Sequence, residues 1–504
     1  MPTLQELHFE GRPVRQHQPW RRTVVDPAIW NFATGQLAEG HWTLLGLWGE
    51  PGAAHMSLLD GQAGEVGTIT LDGLTDRFPS VGLRHPPARR LERAIRDLVG
   101  MAAIGAPDTR PWLDHGQWSV RHPLASHFAV SPATNAYEFL PVDGQNVHQI
   151  AVGPVHAGII EPGHFRFTAS GETIVRLEER LGYAHKGIEE LMIGSVFDRA
   201  ALLAGRVSGD SAVAYSYAFA RAIEAALNVA VPQRAIWLRA LMAEMERLAN
   251  HLGDIGAICN DAAFALMHAH CGVLRERVLR AAADSFGHRL MRDCIVPGGL
   301  AVDLAEQSAE AIANLVAEIR DRFPRLVAIY DNTASLQDRT VGTGVVKPEL
   351  ARAYGAGGYV GRASGRAFDA RRRPGGAPYD DLAFDIPVLQ EGDVNARIWI
   401  RIREVEQSLS LITQILKQLP NGPFRTSLPT AGRTCEGSAL VEGFRGDIFI
   451  WLRIAPGNTI ARCHLRDPSW FQWPLLEAAV DGNIVADFPL CNKSFNCSYS
   501  GHDL

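Results

Sequence analysis

The sequence predicts an α+β chain: a small N-terminal α/β domain followed by a large, mainly helical domain with β-strands at its periphery. Three observations predict it. Short apolar runs bounded by Gly and Asp crowd the first 135 residues. Apolar residues recur at steps of three and four over two long stretches after residue 235. Two strand-like runs near the C-terminus meet at Pro456-Gly457-Asn458.

In chain order, TLLGLWGE (43–50) and GTITL (67–71) read as strands. ARRLERAIRDLVG (88–100) follows Pro86-Pro87 and places Leu91, Ala94, Ile95, Leu98 and Val99 on one helical stripe. APDTRPWLDHG (106–116) reads as a punctuated loop, and residues 131–150 as a linker, giving domains at 1–135 and 151–504 joined by 136–150. Residues 172–194 are expected to form one helix. In 235–257, Leu238, Leu241, Met242, Met245, Leu248, Leu252 and Ile255 share a face. In 395–419, Ile398, Ile402, Val405, Leu409, Ile412, Leu416 and Leu419 predict a long helix packed lengthwise on others. The Gly- and Arg-rich stretch 355–378 reads as a surface loop, as an ordered loop near a site, or as an RNA-binding segment, although it lacks repeats. GDIFIWLRI (446–454) and TIARCHLR (459–466) read as a hairpin.

Composition narrows the function. The chain has 504 residues, 46% hydrophobic and 21% charged, which excludes wholesale disorder. A net charge of −6 argues against phosphate-neutralising nucleic-acid binding. No apolar run is long enough to span a membrane, and the start lacks a signal-peptide pattern. Seven cysteines without dense pairing suit a reducing cytoplasm.

The motifs go further. GPVHAGIIEPGHFRF (153–167), LGYAHKGIEELM (181–192), GRVSGDSAVAYS (205–216), AEMERLANHLGDIGAICNDAAF (243–264), DRTVGTGVV (338–346) and LRDPSW (465–470) occur in order. Together they resemble the large subunit of membrane-associated, energy-converting [NiFe] hydrogenases and the quinone-site subunit of respiratory complex I. FPSVGLRHPPARRLERAIRDLVG (78–100) resembles a neighbouring complex I subunit, so the chain looks like a fusion of the two. The resemblance implies a hydrogenase large-subunit-like fold after residue 150. It also implies a small partner subunit bearing a [4Fe–4S] cluster, membrane antiporter-like subunits, proton translocation, and a place on the inner face of the cell membrane.

The hydrogenases of this family hold nickel and iron with an early and a late Cys-x-x-Cys. Here the early pair falls on Ser208 and Ser211 and the late pair on Ser498 and Gly501, with Cys497 one position out of register. Soft thiolates suit such a centre, whereas a serine hydroxyl is a hard, weakly acidic donor. The resemblance thus implies the fold while the residues argue against a metal centre. The expected outcome is a hydrated cavity in its place, holding a quinone or another small acceptor.

Candidate proton and quinone residues follow from the same resemblance. Glu161, in Glu-Pro-Gly-His, is similar to a proton-passing glutamate. His164 matches a quinone-contacting histidine of complex I, with His156 eight residues before it. Asp261 matches the aspartate that partners that histidine, and Tyr215 is a candidate quinone contact. A carboxylate and an imidazole within hydrogen-bond reach can deliver protons to a reduced quinone. Each residue also has a structural reading: a satisfied histidine, a cap or a turn. Glu246, Arg247, Asn250 and His251 read as a buried network between helices. Arg206, Arg339 and Arg362 read as facing an acidic partner or as surface ion pairs. Ser208 and Ser211 lack a neighbouring histidine and make poor nucleophiles. LGLWGE and GAGGYVG lack the context of a dinucleotide fingerprint. Two further readings compete with the acceptor reading: a non-catalytic scaffold between an electron-transfer module and a membrane module, and an active [NiFe] hydrogenase, opposed by the missing cysteines.

Overall fold

The computed structural model describes residues 4–61, 63–125, 129–130, 137–142, 144, 146–155 and 161–504. His156 and residues 131–136 lie outside them, so the expectations placed there are not addressed by the structure.

The N-terminal unit is built on a five-stranded sheet. Strands β1 (Arg12–Pro13), β3 (Arg21–Val24), β4 (Thr43–Glu50), β5 (Ala53–Asp60) and β6 (Glu65–Leu71) lie in the order β1-β3-β6-β5-β4, with β3 and β6 parallel. Helices α1 (Pro27–Ala38) and α2 (Arg89–Val99) accompany it. The Asp26 side chain caps α1 through the Ile29 N–H at 2.9 Å, and Gly100, at φ 85°, closes α2 in the left-handed region.

Strand β2 (His17–Gln18) leaves this unit. It pairs in parallel with β10 (Cys435–Glu442), which is followed by β11 (Asp447–Ala455) and β12 (Thr459–Arg466) in a four-stranded sheet. Trp48 packs among Phe449, Trp451 and His464, so the two parts share a core. Arg22 pairs with Glu436 at 2.7 Å, and Arg453 pairs with Glu50 at 2.6 Å, across the same seam.

Between these lies a three-stranded antiparallel sheet of β7 (Val147–Val152), β8 (His164–Ser170) and β9 (Thr173–Arg180). It corrects two expectations. The stretch 172–194 is not one helix: Thr173, Ile174 and Val175 enter a strand, and helix α3 spans only Ile188–Met192. The helical spacing in this stretch loses to β-branched residues that have a partner strand available. Gly182 and Gly187, at φ 96° and 68°, then turn the chain between strand and helix. The linker 136–150 likewise ends in β7.

The helical body comprises α4 (Ala212–Leu227), α5 (Gln233–Asp261), α6 (Ala265–Phe286), α7 (Glu306–Asn332) and α9 (Val394–Gln418); the short α8 (Gly358–Ala363) precedes α9. The stripes read from 235–257 and 395–419 face one another in the main core. Helix α4 lies on β10 so closely that a Cβ at Gly437 would meet the Ala222 carbonyl oxygen at 1.9 Å. The chain closes with α10 (Ser469–Ala479), α11 (Phe488–Phe495) and α12 (Tyr499–Asp503). Among the described residues, no helix is long and apolar enough to cross a membrane.

The Gly- and Arg-rich stretch 355–378 is ordered. It folds as α8 and a following turn, and it sends Arg362 and Arg371 into the protein. Arg362 is 1% exposed and binds Glu404 (2.7 Å), Glu442 (2.9 Å) and Asp369 (3.3 Å). Arg371 binds Asp369 (2.7 Å) and Glu244 (2.8 Å). Glu404 also meets His251 at 2.7 Å and Arg247 at 3.4 Å. Of the four residues expected to form a buried network, Arg247 and His251 join this one, to which the glycine-rich stretch supplies two further cations, whereas Glu246 binds the Val213 and Ala214 N–H groups and Asn250 the Asp210 carbonyl. Arg206 and Arg339 form ion pairs with Asp293 (2.6 Å) and Asp487 (3.2 Å).

Candidate functional site

The four positions that the resemblance aligns with metal ligands converge. Ser208 and Ser211 bound the tight turn that leads into α4, and Ser498 is the N-cap of α12. Ser208 Oγ lies 3.0 Å from Ser498 Oγ. Ser498 Oγ accepts the Gly501 N–H at 2.9 Å.

A protein network occupies the space between them. Asp210 accepts hydrogen bonds from Ser208 Oγ at 2.7 Å and from Ser211 Oγ at 3.2 Å. The buried Arg445 guanidinium reaches Asp210 at 2.6 Å and Ser211 at 3.3 Å, and its Nε donates to the Asn496 carbonyl. Burial works to raise the Asp210 carboxyl, but the Arg445 guanidinium outweighs it and holds the group below the usual carboxylate range. On the opposite side, Tyr215 Oη donates to Asp467 Oδ2 at 2.5 Å, and Ser469 N–H donates to Asp467 Oδ1 at 2.8 Å. Burial and the neighbouring Asp467 carboxylate push the Tyr215 phenol well above its ordinary value, so it remains a donor.

This set does not fit a four-thiolate metal centre. Two of its members are serine hydroxyls already bonded to each other, and the third hydroxyl is bonded to a carboxylate. A Cβ at Gly501 would stand 2.4 Å from Asp467 Oδ2, so a side chain there requires Asp467 to leave Tyr215. Among the described residues, no group of three His, Cys, Asp or Glu side chains is placed to hold a metal ion.

Glu161 borders this site. It is exposed, and its Oε2 accepts the Ser500 N–H at 2.7 Å, between Ser498 and Gly501. Lys186 Nζ donates to the Ser500 carbonyl at 3.0 Å. His164 is on β8, with Nδ1 3.3 Å from the Gly153 carbonyl and its ring 4.9 Å from Phe139. Burial lowers its pKa, which keeps the imidazole neutral, and its buried Nε2 has no hydrogen-bond partner among the described residues. Asp261 ends α5, where burial raises its carboxyl against the pull of Lys493. No hydrogen bond or ion pair joins His164 to Asp261 among the described residues, so the acid–base pair expected from the resemblance is not assembled in this conformation. Tyr215 faces Asp467 instead of an open cavity.

Two family models match the chain: respiratory-chain NADH dehydrogenase, 49 Kd subunit, over residues 261–436, and the 30 Kd subunit of the same enzyme over 56–134. Formate hydrogenlyase subunit 5 of Escherichia coli (strain K12) is 31% identical over 449 residues, covering 86% of this chain and 78% of that one. The chain belongs to the hydrogenase-related, complex I-like oxidoreductase family. The NADH-quinone oxidoreductase C/D polypeptide of Phocaeicola vulgatus is 28% identical over 433 residues, covering 80% of this chain and 83% of that one. Among solved structures, a chain of the membrane-bound sulfane sulfur reductase, an archaeal respiratory membrane complex, superposes with a TM-score of 0.68 at 26% identity. That match covers 72% of this chain and all of the other.

Within this family fold, sequence reasoning singles out Ser208, Ser211, Ser498 and Gly501 by resemblance and passes over Asp210, Asp467 and Arg445. Asp210 and Asp467 stand inside the motifs RVSGDS and LRDPSW. A charged residue in a tight turn beside former ligand positions was the available signal. Arg445 carried no sequence signal of its own beyond the glycines near it.

Proposed function

We propose that the chain is a subunit of a membrane-associated electron-transfer complex in which the family's metal position is taken over by the Ser208–Ser498 hydroxyl pair and the Asp210–Arg445 ion pair. That replacement is the observation that carries the reading. In this proposal the small N-terminal unit (1–135) and the larger unit (151–504) descend from two complex I subunits, joined by 136–150. The chain sits on the inner face of the cell membrane. It docks a small subunit bearing a [4Fe–4S] cluster and associates with antiporter-like membrane subunits, and it binds no nucleic acid. The acceptor is a quinone or another small molecule. The sulfane sulfur reductase with the same fold makes a non-quinone acceptor chemically reasonable. Leu191, Ile193, Val196 and Leu202, each 44–56% exposed within one short stretch, support a partner on that face.

The test is purification of the native complex. Elemental mass spectrometry is expected to find far less than one nickel per chain, and a small iron–sulfur protein is expected to co-purify. Stoichiometric nickel, or a stable monodisperse monomer, would sink the reading.

A scaffold role without chemistry is favoured by one observation: Asp210, Ser211 and the Asn496 carbonyl already occupy the Arg445 guanidinium. His164→Ala and Asp261→Asn separate the two. If the acceptor site closes around these residues in the complex, each variant assembles normally while turnover falls by about 10²–10⁴-fold. Full turnover in both leaves the scaffold reading.

A further inference from the structure

One buried acid beside the site is not used by that reading. Glu246, on α5, is 8% exposed and crosses to the start of α4, where its Oε2 accepts the Val213 N–H at 2.7 Å and its Oε1 the Ala214 N–H at 3.1 Å. On its other side lies a cavity of about 100 Å³, bounded by α5, α6 and the turn at Gly209-Asp210. Its polar lining is Glu246, Asn250, Asp210, Arg275 and Arg289. The two arginines are exposed and mark its mouth, whereas Glu246 lies at its base. At ~30 Å³ per molecule the cavity has room for about three waters, and five polar side chains are enough to hold them. Asp210 belongs to both places: it lines the cavity, and it accepts the Ser208 hydroxyl that meets Ser498.

Resting on the reading of Ser208 and Ser498 as part of an electron-accepting site, we propose that Glu246 is the proton-loading residue of that site, charged from water in this cavity and discharging toward the Ser208–Ser498 hydroxyls. The step moves protons only. A cavity water protonated from the solvent side gives its proton to a carboxylate oxygen of Glu246, whose second lone pair remains open beside the backbone N–H. Glu246 returns the proton to a cavity water bonded to the Asp210 end of the chain. Ser208 Oγ takes it up as its own hydroxyl proton turns from Asp210 and passes to Ser498 Oγ, and Ser498 releases its former hydroxyl proton to the reduced acceptor. The electrons for any reduction come from the partner's iron–sulfur cluster. Glu246 acts through these groups and is a positioning and relay residue.

The charges around Glu246 suit the task. Burial pushes its carboxyl up to about 8, the two N–H bonds oppose this, the Asp210 carboxylate adds to it, and Arg247 on the same helix opposes it. Arg275 and Arg289 line the cavity mouth, where Arg289 is held by Glu276 at 2.8 Å. A group titrating near 8 exchanges protons readily at neutral pH.

The experiment is infrared difference spectroscopy with pH titration on the intact complex, wild type against Glu246→Gln, together with the pH profile of acceptor reduction. The wild type is expected to show a protonated carboxyl band that is lost with a midpoint near pH 8, shifts in D₂O and is absent from the variant. Turnover of the variant is expected to fall by about 10²-fold. Arg275→Gln removes a cation without touching the carboxyl, and it is expected to move the midpoint to higher pH. A carboxyl titration between about pH 6 and 9 that is the same in wild type and Glu246→Gln, or a Glu246→Gln variant at the wild-type rate, overturns the proposal. A titrating Glu246 band in a complex that reduces no acceptor supports Glu246 as a proton-exchanging group and overturns the acceptor reading instead.

Discussion

Arg362→Met is expected to destabilise the protein by roughly 3–5 kcal/mol, because it strands buried carboxylates without their cation. Arg362 sits among Glu404, Glu442 and Asp369, each with a side chain no more than 1% exposed. Burial and the adjacent Asp369 already raise the Glu442 carboxyl to about 7, with Arg362 pulling it back down. Without the guanidinium, Glu442 takes up a proton and Glu404 is left to His251 and Arg247 alone. The measurement is the denaturant midpoint, together with the yield of assembled complex. A midpoint indistinguishable from wild type would show that the network reorganises at little cost. Arg362→Lys tests the geometry: it keeps the charge but loses the planar fork that serves three acids at once, and it is expected to recover only part of the loss.

Arg445→Ala has the second largest expected effect. It leaves Asp210 without its cation and removes the donors to Ser211 and the Asn496 carbonyl. The side chain of Asp210 is 35% exposed, so water recovers part of the cost, and about 2–3 kcal/mol is expected in place of the fully buried figure. The loss is local. The segment from Asn496 onward is tied to the turn at Ser208 through this guanidinium and the Ser208–Ser498 bond, so protease cleavage near residues 496–504 is expected to accelerate ahead of global unfolding. Asp210 also titrates higher in the variant, which weakens the segment's hold as pH falls. Unchanged protease resistance would mean that α12 is held mainly by its other contacts, such as Asp503 with the Ala184 N–H at 2.9 Å.

Both predictions concern arginines that sequence patterning did not single out as buried, and the reason is physical. Periodicity reports which face of an element is apolar, and it placed the stripes of α5 and α9 correctly because burying apolar area is nearly indifferent to the partner. It failed at 172–194, where helical spacing coexists with a β-branched start and the available partner strand decided. It left 355–378 open because glycine and arginine are surface residues on average, and only a facing set of acids makes their burial favourable.

The sequence by itself determined the chemistry available: hydroxyls and a glycine stand at the four positions that the resemblance aligns with thiolates, and no rearrangement of the backbone can change the softness of a donor. It also determined the family, through ordered motifs. Only the tertiary structure decided what those residues do. Ser208 and Ser498 are 290 positions apart, and Asp210 and Arg445 are 235 apart. A directional bond of about 3 Å between such positions follows from the packing of α4, α12 and the turn before β11, which spacing along one element does not encode. The same packing directed Tyr215 to Asp467 and Glu246 to a small, polar-lined cavity. It also kept His164 and Asp261 from bonding to each other, because each lies on an element whose position is set by its own apolar face.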